Sequence, residues 1–125
     1  MTKILIAEDE SALLQAISSV LAEKGYKTFS AINGEEAIAI ARRELPDLIL
    51  LDLILPKKDG FAVLADLKQE STTANIPVII LTNLEGNADV DRALALGATT
   101  YLVKTNYKLD EIAKKIKDTL ESAHP

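Results

Sequence analysis

The sequence predicts an α/β protein, a doubly wound five-stranded parallel sheet flanked by five helices, and three observations carry that expectation. Short β-type runs alternate with helical periodicity along the whole chain. One run, Leu48-Ile49-Leu50-Leu51, is apolar at every position, as a strand buried on both faces must be. Residues 1–125 contain no internal repeat, low-complexity stretch or linker, so they read as a single domain long enough to bury a core. Aromatic residues make up only 4% of the chain, so that core must be built from Leu, Ile, Val and Ala.

In chain order, the first run is Lys3–Ala7. Leu13, Leu14, Ile17 and Leu21 then line one face of a first helix, which Gly25 closes. Lys27–Ala31 is the most polar run and fits a sheet edge. Ala37, Ile38 and Ala41 mark a second helix, stopped by Pro46 because a proline pushes the residue before it out of the helical region. Leu48–Leu51 is the central strand. Asp59 is placed to cap a third helix carrying Phe61, Leu64 and Leu67. Val78–Leu81 is the fourth strand. Val90, Ala93, Leu94 and Gly97 indicate a fourth, shorter helix, and Thr99–Val103 the fifth strand. Leu109, Ile112, Ala113, Ile116 and Leu120 give the last helix the cleanest stripe. Right-handed crossovers between these strands favour the flavodoxin-like order 2-1-3-4-5.

Sheets of this kind bind ligands beyond the carboxyl ends of their strands, near the point where the strand order reverses. Those ends carry Glu8-Asp9, Asp52, Thr82-Asn83 and Lys104-Thr105. Carboxylates brought together repel one another unless a cation or proton intervenes. Oxygen donors without His or Cys suit a hard ion, and Mg2+ is held by one or two carboxylates with several waters. A neutralised cluster leaves Asp52 able to act as a nucleophile and form an acyl phosphate, with Lys104 and Thr82 binding the phosphoryl oxygens. Singly, each residue has a plainer role. The acids after the first strand can complement a helix dipole, Asp52 can be a loop residue, Thr82 a cap and Lys104 a solvated charge. Their joint occurrence at four strand ends favours the chemical reading.

These segments resemble the receiver domain of two-component response regulators over essentially the full chain. The matching stretches are Ile4-Leu5-Ile6-Ala7-Glu8-Asp9-Glu10, Asn33-Gly34-Glu35-Glu36-Ala37, Asp47 through Pro56 with Asp59-Gly60-Phe61, Pro77 through Thr82, Gly97-Ala98, and Tyr101-Leu102-Val103-Lys104. The resemblance implies that Asp52 is phosphorylated by a histidine kinase or histidine phosphotransfer protein. It implies Mg2+ held by Asp9, Asp52 and the backbone carbonyl of Ile54, with Glu8 assisting through water. Thr82 and Lys104 contact the phosphoryl group, and Thr82 and Tyr101 form the switch. The downstream protein is expected on the face from about Ala88 to Leu120. Such a chain is a signalling switch that catalyses its own phosphoryl transfer and dephosphorylation, not a turnover enzyme. The plainer role for Tyr101 is a half-buried strand aromatic with its hydroxyl in water.

Three departures from the family pattern stand out. Thr105 follows Lys104 where proline is usual, so a trans peptide is expected, since a cis non-proline bond costs about 2.5–4 kcal/mol; the loop Thr105–Lys108 also runs one residue longer. Asn83 stands where a smaller residue is common and is expected to narrow access to Asp52. Ile54 and Leu84 are apolar at positions that help set phosphate lifetime, and are expected to limit the attacking water.

Composition removes other classes. No cysteine is present, which excludes disulfides and thiolate metal sites. The formal charge is −5, and the densest basic stretch, Lys114, Lys115 and Lys117, is flanked by acids, so no nucleic-acid partner is expected. No segment is long enough for a signal-peptide core or membrane span, so no membrane insertion is expected and a cytoplasmic location is the default. A flavodoxin would need a glycine- and hydroxyl-rich phosphate loop where Glu8-Asp9-Glu10 stands. A haloacid-dehalogenase-type phosphatase would carry a second Asp at position 54. A receiver-like interaction module that works without phosphorylation remains the alternative. The chain reads as a stand-alone receiver or a piece of a longer protein, with His124 given no site role.

Overall fold

The computed structural model describes residues 1–123, so His124 lies outside it. Five strands and five helices alternate: β1 Lys3–Ala7, α1 Ser11–Glu23, β2 Lys27–Ala31, α2 Gly34–Glu44, β3 Leu48–Leu51, α3 Gly60–Gln69, β4 Val78–Thr82, α4 Asn87–Ala95, β5 Thr100–Val103 and α5 Leu109–Ala123. All neighbouring strands pair in parallel, in the order β2-β1-β3-β4-β5. The expected flavodoxin-like order is therefore the observed one, with β2 and β5 at the edges.

Side chains alternate across the sheet and feed two cores. On one face Leu5, Ile49, Leu51 and Ile80 pack with α2, α3 and Ala93 of α4. On the other Ile4, Ile6, Leu50 and Leu81 pack with Leu14, Ile17 and Leu21 of α1 and Ile112, Ile116 and Leu120 of α5. Both faces being covered explains why β3 is apolar at every position.

The ends of the helices show local causes. Gly25, at φ +91°, follows α1 in the left-handed region that glycine tolerates. Asn33 caps α2, its side chain accepting from the Glu36 N–H at 2.8 Å. Asp59 caps α3 as expected, accepting from Ala62 at 2.9 Å. Pro46 does stop α2, but the turn itself is made by Leu45, which is left-handed at φ 45°.

Two expectations need correction. Leu94 does not lie on the core side of α4: it is 45% exposed, and Ala93 is the buried residue of that helix. Leu96 and Ala98, in the turn after α4, complete the packing instead. The segment after β5 is not a plain loop, because Lys104–Asn106 forms a single 3-10 turn. No cis peptide occurs among the described residues, so Lys104-Thr105 is trans as expected.

Candidate functional site

Parallel pairing aligns the carboxyl ends of the central strands. Ala7 of β1 sits opposite Leu51 of β3, so Glu8 and Asp52 leave the sheet side by side. The Asp52 N–H donates to the Ala7 carbonyl at 3.0 Å and extends the ladder by one bond. Thr82 pairs with Val103, which brings Lys104 in from the other side.

The side chains converge. Carboxylate oxygens of Glu8, Asp9 and Asp52 all lie within 4.8 Å of one another. Glu8 is 2% exposed and Asp52 5%, whereas Asp9 faces solvent. The Lys104 Nζ lies 2.7 Å from both Glu8 Oε1 and Asp52 Oδ2, and 3.9 Å from Glu10 Oε2. The Ile54 N–H donates to Asp52 Oδ1 at 3.1 Å and fixes the orientation of that carboxylate.

Electrostatics follow from this crowding. Burial pushes the Glu8 carboxyl above its ordinary 4.5, although hydrogen bonds from Lys104 and the Glu10 N–H oppose the rise. Burial alone would lower Lys104, but hydrogen bonds to Asp52 and Glu8, with their charges, outweigh it and raise the ammonium above 10.5. One ammonium thus pairs closely with Glu8 and Asp52 alone, while Asp9 shares the same small volume. An all-oxygen, under-neutralised donor set of this kind fits a hard divalent cation.

Beyond the acids, Thr82 is fully buried and its hydroxyl has no hydrogen-bond partner among the described residues. An orphaned buried hydroxyl costs about 1–3 kcal/mol, so this one marks a place where an acceptor would be stabilising. Tyr101 is half-buried, and its hydroxyl donates to the Leu84 carbonyl at 2.7 Å instead of facing water. Burial first, then the charges of Asp89 and Asp52, raises its phenol above 10. Asn83 is exposed beyond the end of β4, and the Ile54 side chain is 54% exposed over the loop after β3.

Residues 4–117 match the family described as the response regulator receiver domain. The chain belongs to that family. Among curated receiver relatives, a probable transcriptional regulator ycf27 of Porphyridium aerugineum is 39% identical over 94% of this chain and 48% of its own length. The response regulator PleD of Caulobacter vibrioides is also 39% identical, over 82% of this chain and 22% of its own. The chain therefore spans half or less of the length of these relatives. A two-component response regulator from Clostridium difficile superposes over all of both chains with a TM-score of 0.92 at 29% identity.

Sequence reasoning placed Glu8, Asp9, Asp52, Thr82 and Lys104 at one end of the sheet, and the receiver fold brings them together there. Two contacts were missed. Glu10 approaches Lys104, a contact that its place in an acidic run does not announce. Gly60 packs directly against the end of β3, where an added Cβ would lie 2.3 Å from the Asp52 carbonyl oxygen. The Asp59-Gly60 pair was the available signal for the second. A surface cavity of about 490 Å3, lined by Pro77, Thr99 and Lys115, lies at the opposite, amino end of the sheet. The Asp52 carboxylate lies in the strand-end cluster and not in this cavity.

Proposed function

We propose that this receiver domain, spanning residues 1–125 and working in the cytoplasm, is a phosphorylatable switch with Asp52 as its acceptor. The supporting observation is the Lys104 ammonium 2.7 Å from the buried Asp52 carboxylate, with the buried, partnerless Thr82 hydroxyl at the same carboxyl end of the sheet. A carboxylate oxygen of Asp52 attacks the phosphorus of a phosphohistidine on a histidine kinase or phosphotransfer protein. An O–P bond forms, the P–N bond breaks, and its electron pair stays on the imidazole nitrogen, which takes a proton from solvent. Lys104 turns from Asp52 and Glu8 to the phosphoryl oxygens, and the Thr82 hydroxyl donates to another. Bound Mg2+ supplies charge neutralisation for the transfer. Asp9, Asp52 and the Ile54 carbonyl would hold it, with Glu8 assisting through water. The new group carries roughly −1.5 to −2 charge, enough to reorder the loops around it. Thr82 and Tyr101 carry that change to a protein partner on the face from about Ala88 to Leu120. The domain acts once per phosphorylation cycle and does not turn over an outside substrate.

Incubation with acetyl phosphate and Mg2+, followed by intact mass, tests the acceptor. Wild type gains one phosphoryl group and Asp52→Asn gains none. Folded wild type that gains nothing would end the reading. Decay of the phosphorylated chain tests Ile54 separately. Ile54→Asn replaces an exposed apolar side chain beside the acceptor with one that can hold the attacking water, and speeds the loss of phosphate by about tenfold, a barrier change of roughly 1.4 kcal/mol. An unchanged rate removes Ile54 from control of the phosphate lifetime.

A further inference from the structure

Of the five α-helices, α4 buries the fewest residues. Across its nine residues only Ala93 is buried, and Gly86 at its start supplies no side-chain cap. Asn83, Glu85 and Gly86, in the loop that joins it to Thr82, are exposed. Elements with so little buried apolar contact open first.

One side-chain contact reaches from the exposed side of α4 back toward the site. The Arg92 guanidinium lies over the Phe61 ring, 4.1 Å from its centroid. Phe61 is 7% exposed and stands second in α3, directly after Gly60. The Gly60 N–H donates to the Leu53 carbonyl at 2.9 Å, and its Cα sits against the Asp52 backbone. Arg92 therefore ties the loosest helix to the turn that touches the acceptor residue itself. This link is separate from Thr82 and from the bond between Tyr101 and Leu84.

We propose that the Arg92–Phe61 stack is a brake on the switch, an inference that rests on the phosphoacceptor reading of Asp52. A phosphoryl group on Asp52 draws the Thr82 hydroxyl toward it, and the displacement enters the loop Asn83–Gly86 and then α4. Arg92 resists that movement because it must leave the face of a ring fixed in the core. A contact that favours one arrangement lowers the affinity for any ligand that favours the other, and the coupling is reciprocal.

The test uses beryllofluoride with Mg2+ as the phosphoryl mimic, on the full chain. Arg92→Gln and Phe61→Leu each bind it about two- to fivefold more tightly than wild type, the size of an exposed cation–π contact. The double variant binds no more tightly than either single one, because both remove the same contact. Arg92→Lys, which keeps the positive charge but not the planar guanidinium, falls between wild type and Arg92→Gln. Amides of Asn87–Leu96 exchange faster in Arg92→Gln without the mimic. Binding in Arg92→Gln that equals or falls below that of wild type overturns the brake, even if exchange is faster. Wild type that binds no beryllofluoride overturns the phosphoacceptor reading and the brake together. Normal wild-type binding with unaltered variants overturns the brake alone. The Arg92 variants keep the result decisive if Phe61→Leu folds poorly.

Discussion

At 5% exposure the Asp52 carboxylate has lost most of its water, and two partners replace it. The Lys104 ammonium meets one oxygen and the Ile54 N–H meets the other. Neither partner can hold that geometry unless the backbone beneath it is fixed, and Gly60 is what fixes it. A Cβ at residue 60 would fall 2.3 Å from the Asp52 carbonyl oxygen and 2.5 Å from the Leu53 Cα, both backbone atoms that cannot swing away. Gly60→Ala is therefore expected to destabilise the fold by about 2–4 kcal/mol, read as a shift in the urea midpoint. It also displaces the acceptor strand end, so the surviving folded protein phosphorylates more slowly. A variant with wild-type stability and rate would mean that the contact relaxes freely. The strand-end residues of the site were legible in the sequence because parallel strands all end on the same side, so each terminal residue could be placed without knowing any contact. The stack of Arg92 on Phe61 was not, since two side chains on different helices announce nothing in periodicity or spacing.

At the scale of elements, the strands were the clearest feature and the ends of the helices the least clear. β1, β2 and β3 fall on their expected residues, while β4 runs one residue further and β5 begins one residue later. Their apolar runs leave little freedom when both faces are covered. α4 is present and short as expected, but its start is hard to place, because a short helix with one buried side chain has almost no periodic signal. The end of α2 shows a different limit. Pro46 correctly announces a stop, yet nothing in Leu45 marks it as the left-handed residue, because leucine has no preference for that region. Leu45 has φ 45° and ψ 62°, its N–H donates to the Ala41 carbonyl, and its side chain is half exposed. Leu45→Gly removes the left-handed penalty while giving up little burial, and should stabilise by about 0.5–1 kcal/mol after the added freedom of the unfolded chain is counted. Leu45→Ala keeps the strain and gains nothing, so thermal melts of the pair separate the backbone effect from the loss of the side chain. Equal melting points for the two variants would show that Leu45 is not strained.

Over the whole molecule, the topology that makes the site also concentrates charge at one end of the sheet, in a chain already at −5. Glu8, Asp9 and Asp52 share one volume with a single ammonium, so the fold carries repulsion there that a bound divalent cation would relieve. An ion held by the folded cluster and not by the unfolded chain stabilises by mass action, by about 1.4 kcal/mol at ten times its Kd, or roughly 4–8 °C for a domain of this size. Adding Mg2+ should raise the melting temperature by that amount, EDTA should reverse it, and Asp9→Asn should remove most of it. The effect has a defined pH sense. Burial holds the Glu8 carboxyl above 4.5, so the metal-free fold keeps a proton there that the unfolded chain has lost. That contribution to stability is fully present below 4.5 and is lost as pH rises through the raised value. The cation needs the ionised carboxylate, so its stabilising shift grows with pH across the same window, and melts should show a larger Mg2+ increment at neutral pH than in mild acid. An equal increment in wild type and Asp9→Asn would place the ion elsewhere on the molecule. No increment at any pH would take Mg2+ out of the switch altogether.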